Sequence, residues 1–581
     1  MTRIITLLFL LCVATSIQAQ IVHEFDTLTY GDRINSTIDS VDISGSDLPT
    51  TFDGGYSILS PKGLSTQTLF NQYTALNFTR LGSWQGMEFS ALPHLGFSYS
   101  FGGQGSQFLN AKYNHAFTKN TVLNIYYKRS SGEGVIRNSS FTNNDVKLQF
   151  QHKGLRYSAQ VKGEFASHDL SHSAGVDSLS FVDSLALIET FGLEFSSVNK
   201  SDAHSKSKIG QAVLMNYLNV LPDSSNSLGV MTNHHYSILN REYTESGALD
   251  LIYDNIYMDP SNTRDQFNLA RITNGAGLYF SNSKFYVHGL IDYTYWKYQN
   301  LGSNYDSTEV DLTSHAKLNL RKLVIANDLK LNILGRFNEL SERIQLDYRG
   351  DKLQAGGTLV YENLAPTVQQ RRYFSNTSNY LLTPIEKQNW FRVNGYAKYG
   401  FNENKITISA LGDFTSISNV YYFDGNEWKN DSLTANFASV GINSTMQFGV
   451  FNFHPRLVYS IDQNGYLPSF QAYGRVYVKG KLFKAKKLEA LAGVDFSYLT
   501  SFKTRVFIPS MDTYDWHATT ASYVPTTNLH AFVSFGIAEF RFFIRYENIG
   551  YFWSKKINQE VSNYPVAGTR MRIGVTWDFF N

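Results

Sequence analysis

The chain has 581 residues, of which 15% are aromatic, with Lys+Arg 51 against Asp+Glu 49. So even a charge balance excludes a strongly charged partner, and no nucleic acid is expected. The single cysteine, Cys12, leaves the rest of the chain without disulfides or thiolate metal sites, and no later run of about 18 apolar residues is present to cross a bilayer as a helix.

Residues 1–19 read as a signal peptide. Arg3 supplies the charged start, Ile4 to Val13 the apolar run, and Ala19 the cleavage point before Gln20. Residues 20–65 are rich in Ser, Thr and Asp, and are expected to be a flexible lead or a plug. From residue 66 to residue 581 the pattern changes. In "DVKLQFQ", Val146, Leu148 and Phe150 share one face. "LRYSAQVKGEFA" sets Leu155, Tyr157, Ala159, Val161 and Phe165 against Arg156, Ser158, Gln160, Lys162 and Glu164. "EFRFFIRYE" sets Phe540, Phe542, Ile544 and Tyr546 against Glu539, Arg541, Arg545 and Glu547. A period of two over about ten residues marks half-exposed strands. The hairpin Phe141–Gln151 with Leu155–Ala166 is the clearest pair.

Tight turns recur at Phe117–Thr121, His152–Gly154, Ser281–Lys284, Leu320–Leu323, Arg349–Lys352, Gly400–Lys405, Phe448–Phe451 and Gly536–Glu539. Mostly longer polar links fall between them: Ser130–Thr142, Ser167–Ser205, Asn240–Asn274, Gln299–Glu309, Asn363–Asn389, Gly425–Leu433, Phe502–Thr526 and Ile549–Gly568. Short and long ends alternating along a meander predict a transmembrane up-and-down antiparallel β-barrel, all-β, of about 22 strands (20–24). The barrel also accounts for a mean hydropathy of −0.25, since half of each strand faces water. A soluble propeller or β-helix would require a fixed-period repeat, and none is visible.

The chain closes on "RMRIGVTWDFFN". Ile573, Val575, Trp577 and Phe579 alternate with Arg572, Gly574, Thr576 and Asp578, as in a seam strand with lipid and lumen faces. Arg572, Gly574, Trp577 and Phe579 have the spacing of the assembly signal that outer-membrane barrels present to the barrel-assembly machinery. On the lumen parity, Glu539, Arg541, Arg545 and Glu547 share one face, as do Arg570, Arg572 and Asp578. These seven are the candidate pore-lining residues. Facing cations and carboxylates would set a transverse field across a pore; the same residues also read as structural ion pairs. "RRY" (Arg371–Tyr373) and "KAKK" (Lys484–Lys487) are expected to be rim charges.

The stretches "GGQGSQFLNAKYNHAFTKNTVLNIYYKRSSGEGVIRNSSF" (Gly102–Phe141), "KLEALAGVDFSYLTSF" (Lys487–Phe502), "TTNLHAFVSFGIAEFRFFIRYENI" and the closing "NYPVAGTRMRIGVTWDFFN" resemble the putative porin family of Bacteroidota outer membranes. The resemblance implies an outer-membrane barrel in a Gram-negative cell envelope, among lipids and lipopolysaccharide, that passes small hydrophilic solutes by passive diffusion. It carries no catalytic signature and implies no cofactor.

The sequence shows no phosphate loop, zinc-protease, serine-hydrolase or calcium-loop motif. His168 and His172 stand four apart and read as loop histidines, while His234 and His235 would point to opposite faces of a strand. No enzyme is expected. The alternative function is a non-conducting barrel anchoring a secretion, adhesion or surface-lipoprotein complex. Energised uptake of the TonB-dependent kind would need a large plug before the barrel, and strands starting near Tyr73 leave too short a segment for a domain. A wide barrel needs something to narrow its lumen. The candidates are the N-terminal segment and the Ser167–Ser205 link with its run "SFVDSLALIETFGL".

Overall fold

The computed structural model describes residue 88 and residues 90–580, apart from 178–195, 223–225, 250–252, 336–337, 402–404, 425–426, 486, 516–521, 524, 555–558 and 567. The signal peptide, the polar segment 20–65, the start near Tyr73 and the apolar run 180–193 lie outside the described residues.

Twenty-two long strands form one closed antiparallel barrel. They are β1 His94–Gly102, β2 Gln107–Thr118, β3 Thr121–Gly132, β4 Phe141–Lys153, β5 Tyr157–His172, β6 Ala203–Pro222, β7 Asn226–Ser246 and β8 Asn262–Asn282. Then come β9 Phe285–Asn300, β10 Ser303–Leu320, β11 Leu323–Leu334, β12 Leu340–Arg349, β13 Leu353–Leu364, β14 Gln388–Phe401 and β15 Ile406–Phe423. The last seven are β16 Trp428–Phe448, β17 Phe451–Asp462, β18 Phe470–Leu482, β19 Leu488–Leu499, β20 Thr526–Ile537, β21 Phe540–Glu547 and β22 Arg570–Phe580. Each pairs with its sequence neighbour, and β22 returns to β1 from His94↔Phe580 to Gly102↔Arg572. The expected hairpin is β4 with β5.

Every even-to-odd connection, from Thr118–Thr121 to Ile537–Phe540, is short, and these connections share one end with the start of β1 and the finish of β22. The opposite end carries the longer links. Two links expected to be long are instead paired strand with tight tips, at Asn300–Ser303 and Phe423–Trp428. The reason is strand length. β7 and β8 have 21 residues each, whereas about 9–11 suffice to cross hydrocarbon. The wall therefore continues beyond the membrane, where the sequence is polar on both faces and looks like loop.

Alternation sorts the side chains. At the seam, Phe97↔Trp577, Tyr99↔Val575 and Phe101↔Ile573 lie outward, while Ser98↔Thr576 and Ser100↔Gly574 lie inward. Trp577 stacks on Phe579 with ring centroids 4.5 Å apart and meets Phe540 edge-on at 5.5 Å. This aromatic cluster sits on the outer surface at the short-turn end. Gly574 is required by the inward face: a methyl there would lie 2.4 Å from Phe543 Cζ. Gly574→Val is expected to displace that ring and cost about 1–3 kcal/mol. It should lower the urea midpoint of the folded, heat-modifiable gel band, and an unchanged midpoint would contradict this packing.

Candidate functional site

The inward faces of β18, β19, β21 and β22 build a wall of charge. Register places Arg475 opposite Asp495, Arg545 opposite Arg572, and Glu547 opposite Arg570. Arg475 Nε donates to Asp495 Oδ1 at 2.7 Å, and Arg545 Nη1 donates to Asp495 Oδ2 at 2.6 Å. Arg541 Nη2 donates to Glu489 Oε1 at 2.6 Å, with Lys479 Nζ 3.6 Å from the same carboxylate. Glu547 takes three arginines. Arg570 Nε donates at 2.5 Å and Arg572 Nε at 3.1 Å, and Arg545 Nε lies 3.7 Å away. Six cations thus share Glu489, Asp495 and Glu547. Such pairs persist away from bulk water because each charge has a partner.

Of the seven expected lumen residues, Arg541, Arg545, Glu547, Arg570 and Arg572 are brought together in this wall. Asp578 faces inward apart from them, 2.8 Å from His94 Nε2. Glu539 sits in the short β20–β21 turn, where its carbonyl accepts from Asp578 N at 3.2 Å. Register pairs Gly574 with Ser100 inside, while Trp577 and Phe579 are outward.

Across the lumen, β8–β10 carry the buried carboxylates Asp265, Asp292, Glu309 and Asp311. Trp296 Nε1 donates to Glu309 Oε1 at 2.6 Å, and Thr313 Oγ1 to Asp292 Oδ2 at 2.7 Å. Lys330 Nζ lies 2.9 Å from Asp311 Oδ2. An arginine-rich side thus faces a carboxylate-rich side.

The long-loop end is bridged. The 499–526 link forms a small hairpin of Val506–Ile508 with Thr513–Asp515, and Asp515 pairs in parallel with Phe423 of β15. Its tip reaches β7, about half-way round the ring. There Arg241 Nη1 donates to Ser510 O at 2.8 Å and Nη2 to Pro509 O at 2.5 Å. On the way it meets the 364–388 link, where Gln369 Nε2 donates to Met511 O at 3.3 Å. That link carries the capped turn Val368–Arg371 and docks on the far wall. Tyr298 OH donates to Arg372 O at 3.0 Å, and Phe374 N donates to Asn300 Oδ1 at 2.7 Å.

Aromatic packing holds the bridge. One apolar cluster joins Phe502, Phe507 and Tyr514 to Val135, Leu467 and Tyr564 from other links, and another joins Tyr373, Tyr380 and Met511 to Trp296, Tyr298 and Phe423. Each such side chain contributes about 1.5–3 kcal/mol on burial. Burial pulls the Arg505 guanidinium in this bridge down to about 10, and it lies 5.5 Å over the Tyr514 ring, still charged at neutral pH.

Three expectations are corrected here. "RRY" is not a surface rim patch: Tyr373 is fully buried and Arg372 lies over Tyr305 at 5.2 Å. His168 and His172 belong to β5 rather than to a loop: His168 Nδ1 lies 2.8 Å from Asn143 Oδ1, and His172 Nε2 lies 2.7 Å from Ser205 Oγ. The described closure at the mouth comes from 499–526 and 364–388, which sequence reading took for ordinary outer links. Their density of Phe, Tyr and Met, unusual for solvated loops, was the available signal.

A closed cylinder with an apolar outer surface and a charged interior defines the class: a transmembrane β-barrel of the outer membrane. The chain belongs to the family described as "Putative porin", whose model matches residues 90–581. Among curated proteins, none matches. Solved barrels share the architecture. The FrpB iron transporter of Neisseria meningitidis (F5-1 variant) superposes with a TM-score of 0.58 at 8% identity, over 84% of this chain and 82% of that one. The pyoverdine receptor FpvA of Pseudomonas aeruginosa PAO1 gives 0.57 at 9%, over 85% and 80%. BauA, the ferric preacinetobactin receptor of Acinetobacter baumannii, gives 0.52 at 8%, over 84% and 80%. At these identities the likeness is one of fold.

Glu547→Gln is expected to leave Arg570 and Arg572 without a charged acceptor. The cost should be about 3–5 kcal/mol, whereas Asp351→Asn in the exposed Lys322–Asp351 pair should leave the midpoint nearly unchanged, because solvent screens that pair. Urea midpoints of the two variants, side by side, test the difference.

Proposed function

We propose that this barrel is a passive channel for small hydrophilic solutes, narrowed at its outer mouth by its own 499–526 and 364–388 links. The observation that carries the reading is a barrel wide enough to need narrowing, lined with charge, whose mouth is crossed by a segment fastened to the opposite wall through Arg241. Opposed arginine and carboxylate sides would orient dipolar solutes in transit.

The packed mouth also favours a second reading, in which the barrel does not conduct and instead anchors a surface or secretion complex. The solved neighbours, named an iron transporter, a pyoverdine receptor and a ferric preacinetobactin receptor, share the barrel.

Planar-bilayer recordings separate these readings. Wild-type protein is expected to give discrete conductance steps. Arg241→Ala, which frees the carbonyls of Pro509 and Ser510, should raise the step size or add flickering, and deletion of 504–514 should raise it further. Equal steps in all three would show that the bridge does not limit flow. Silence in all three would favour the anchoring role.

A further inference from the structure

The wall of β18–β22 holds more positive charge than its own carboxylates balance. Among the described residues, Arg545, Arg570 and Arg572 are paired with just two carboxylates, Asp495 and Glu547. The surplus is concentrated at Arg572. Its side chain is 1% exposed, and Nε is spent on Glu547, but Nη1 and Nη2 are buried without an acceptor among the described residues. Phe108 covers one face of the guanidinium at 4.6 Å. A buried cation with idle donors is costly, so the place calls for an anion.

The sequence "GGQGSQ" shapes the space beside it. Gly102 lies next to Arg572 and Gly103 next to Arg570: a methyl at Gly102 would come 3.0 Å from Met571 O, 3.2 Å from Ser106 Oγ and 3.5 Å from Arg572 Cβ, and one at Gly103 would come 3.3 Å from Arg570 Cβ. Ser106 Oγ is itself buried and unpartnered. The turn is fixed by Gly102 N donating to Ser106 O at 2.8 Å and by Glu133 N donating to Gln104 O at 2.9 Å. The Glu133 carboxylate sits beside Gly105, its Oε1 3.8 Å from a methyl placed there.

We propose that Arg572, under the Gly102–Gly103 turn and with the Ser106 hydroxyl beside it, binds a solute oxyanion, a carboxylate or phosphate group, on the lumen side of the seam. Arg572 faces inward, so a lipid headgroup on the outer surface does not reach it. The inference names a solute class for the channel reading and rests on it in that respect; binding itself is read with no current flowing.

The full chain, refolded into detergent free of lipopolysaccharide, is unfolded by heat in sodium phosphate, sodium acetate or sodium chloride at matched ionic strength. Phosphate, and more weakly acetate, should raise the midpoint over chloride in a saturable way. Arg572→Gln should lower phosphate affinity roughly 10- to 100-fold, as expected for a lost charge-assisted hydrogen bond, while Arg572→Lys keeps part of it. Gly102→Ala leaves every charge in place but fills the cradle, and should also weaken binding; it serves if Arg572→Gln does not refold. No shift of wild type over chloride would overturn the proposal, as would an undiminished phosphate shift in both Arg572→Gln and Gly102→Ala. A protein that binds phosphate but passes no current would keep the site and sink the channel reading.

Discussion

In hydrocarbon an unpaired peptide N–H or C=O costs several kcal/mol, because no water is there to replace the lost partner. A sheet can meet that demand only by having no edges. The seam between β1 and β22 is therefore the contact on which the rest depends: nine residues of β1, from His94 to Gly102, pair with the last strand. Once the ring is closed, the pleat determines which side chains meet lipid and which meet water. That is why Trp577 and Asp578, adjacent in sequence, occupy different solvents.

Closure has a consequence inside. Twenty-two strands enclose more space than their own side chains fill, so the interior must be wet or must be covered by something else. Both occur here. The wall keeps its charges in shared pairs such as Asp495 between Arg475 and Arg545. The mouth is covered by segments from several links, packed through aromatic rings. Arg241 ties the bridge by donating to backbone carbonyls rather than to a carboxylate. A tie of this kind needs only peptide carbonyls at Pro509 and Ser510, so it requires no acidic side chain at the tip.

Much of this was legible in the sequence where one physical rule acts alone. Parity along a strand is local, so the inward placement of Arg541, Arg545 and Arg572 followed from counting by twos, and so did the closing strand and the strand number. The failures came where two rules compete. Gln299–Glu309 and Gly425–Leu433 looked like loops because both faces are polar above the membrane, yet main-chain pairing continues there. Phe507, Tyr514 and Tyr373 lie in stretches without alternation, and their partners are hundreds of residues away or on the far wall. Only the closed ring brings Arg241 within reach of Pro509.

The same logic explains why the charge surplus gathers near the seam. Strands in the middle of the meander pair with neighbours on both sides close in sequence, and Lys147 of β4, for example, lies 3.3 Å from Glu164 of β5. At the seam, β22 meets β1, and β1 offers Ser98, Ser100 and Gly102 on its inner face, none of them a carboxylate. Arg572 can look only backwards to β21, where Glu547 already serves Arg570 and lies near Arg545. A barrel that needed this arginine only for structure would gain by setting an acid opposite it on β1. It sets Gly102 there instead, which leaves Arg572 without an acid on its β1 side.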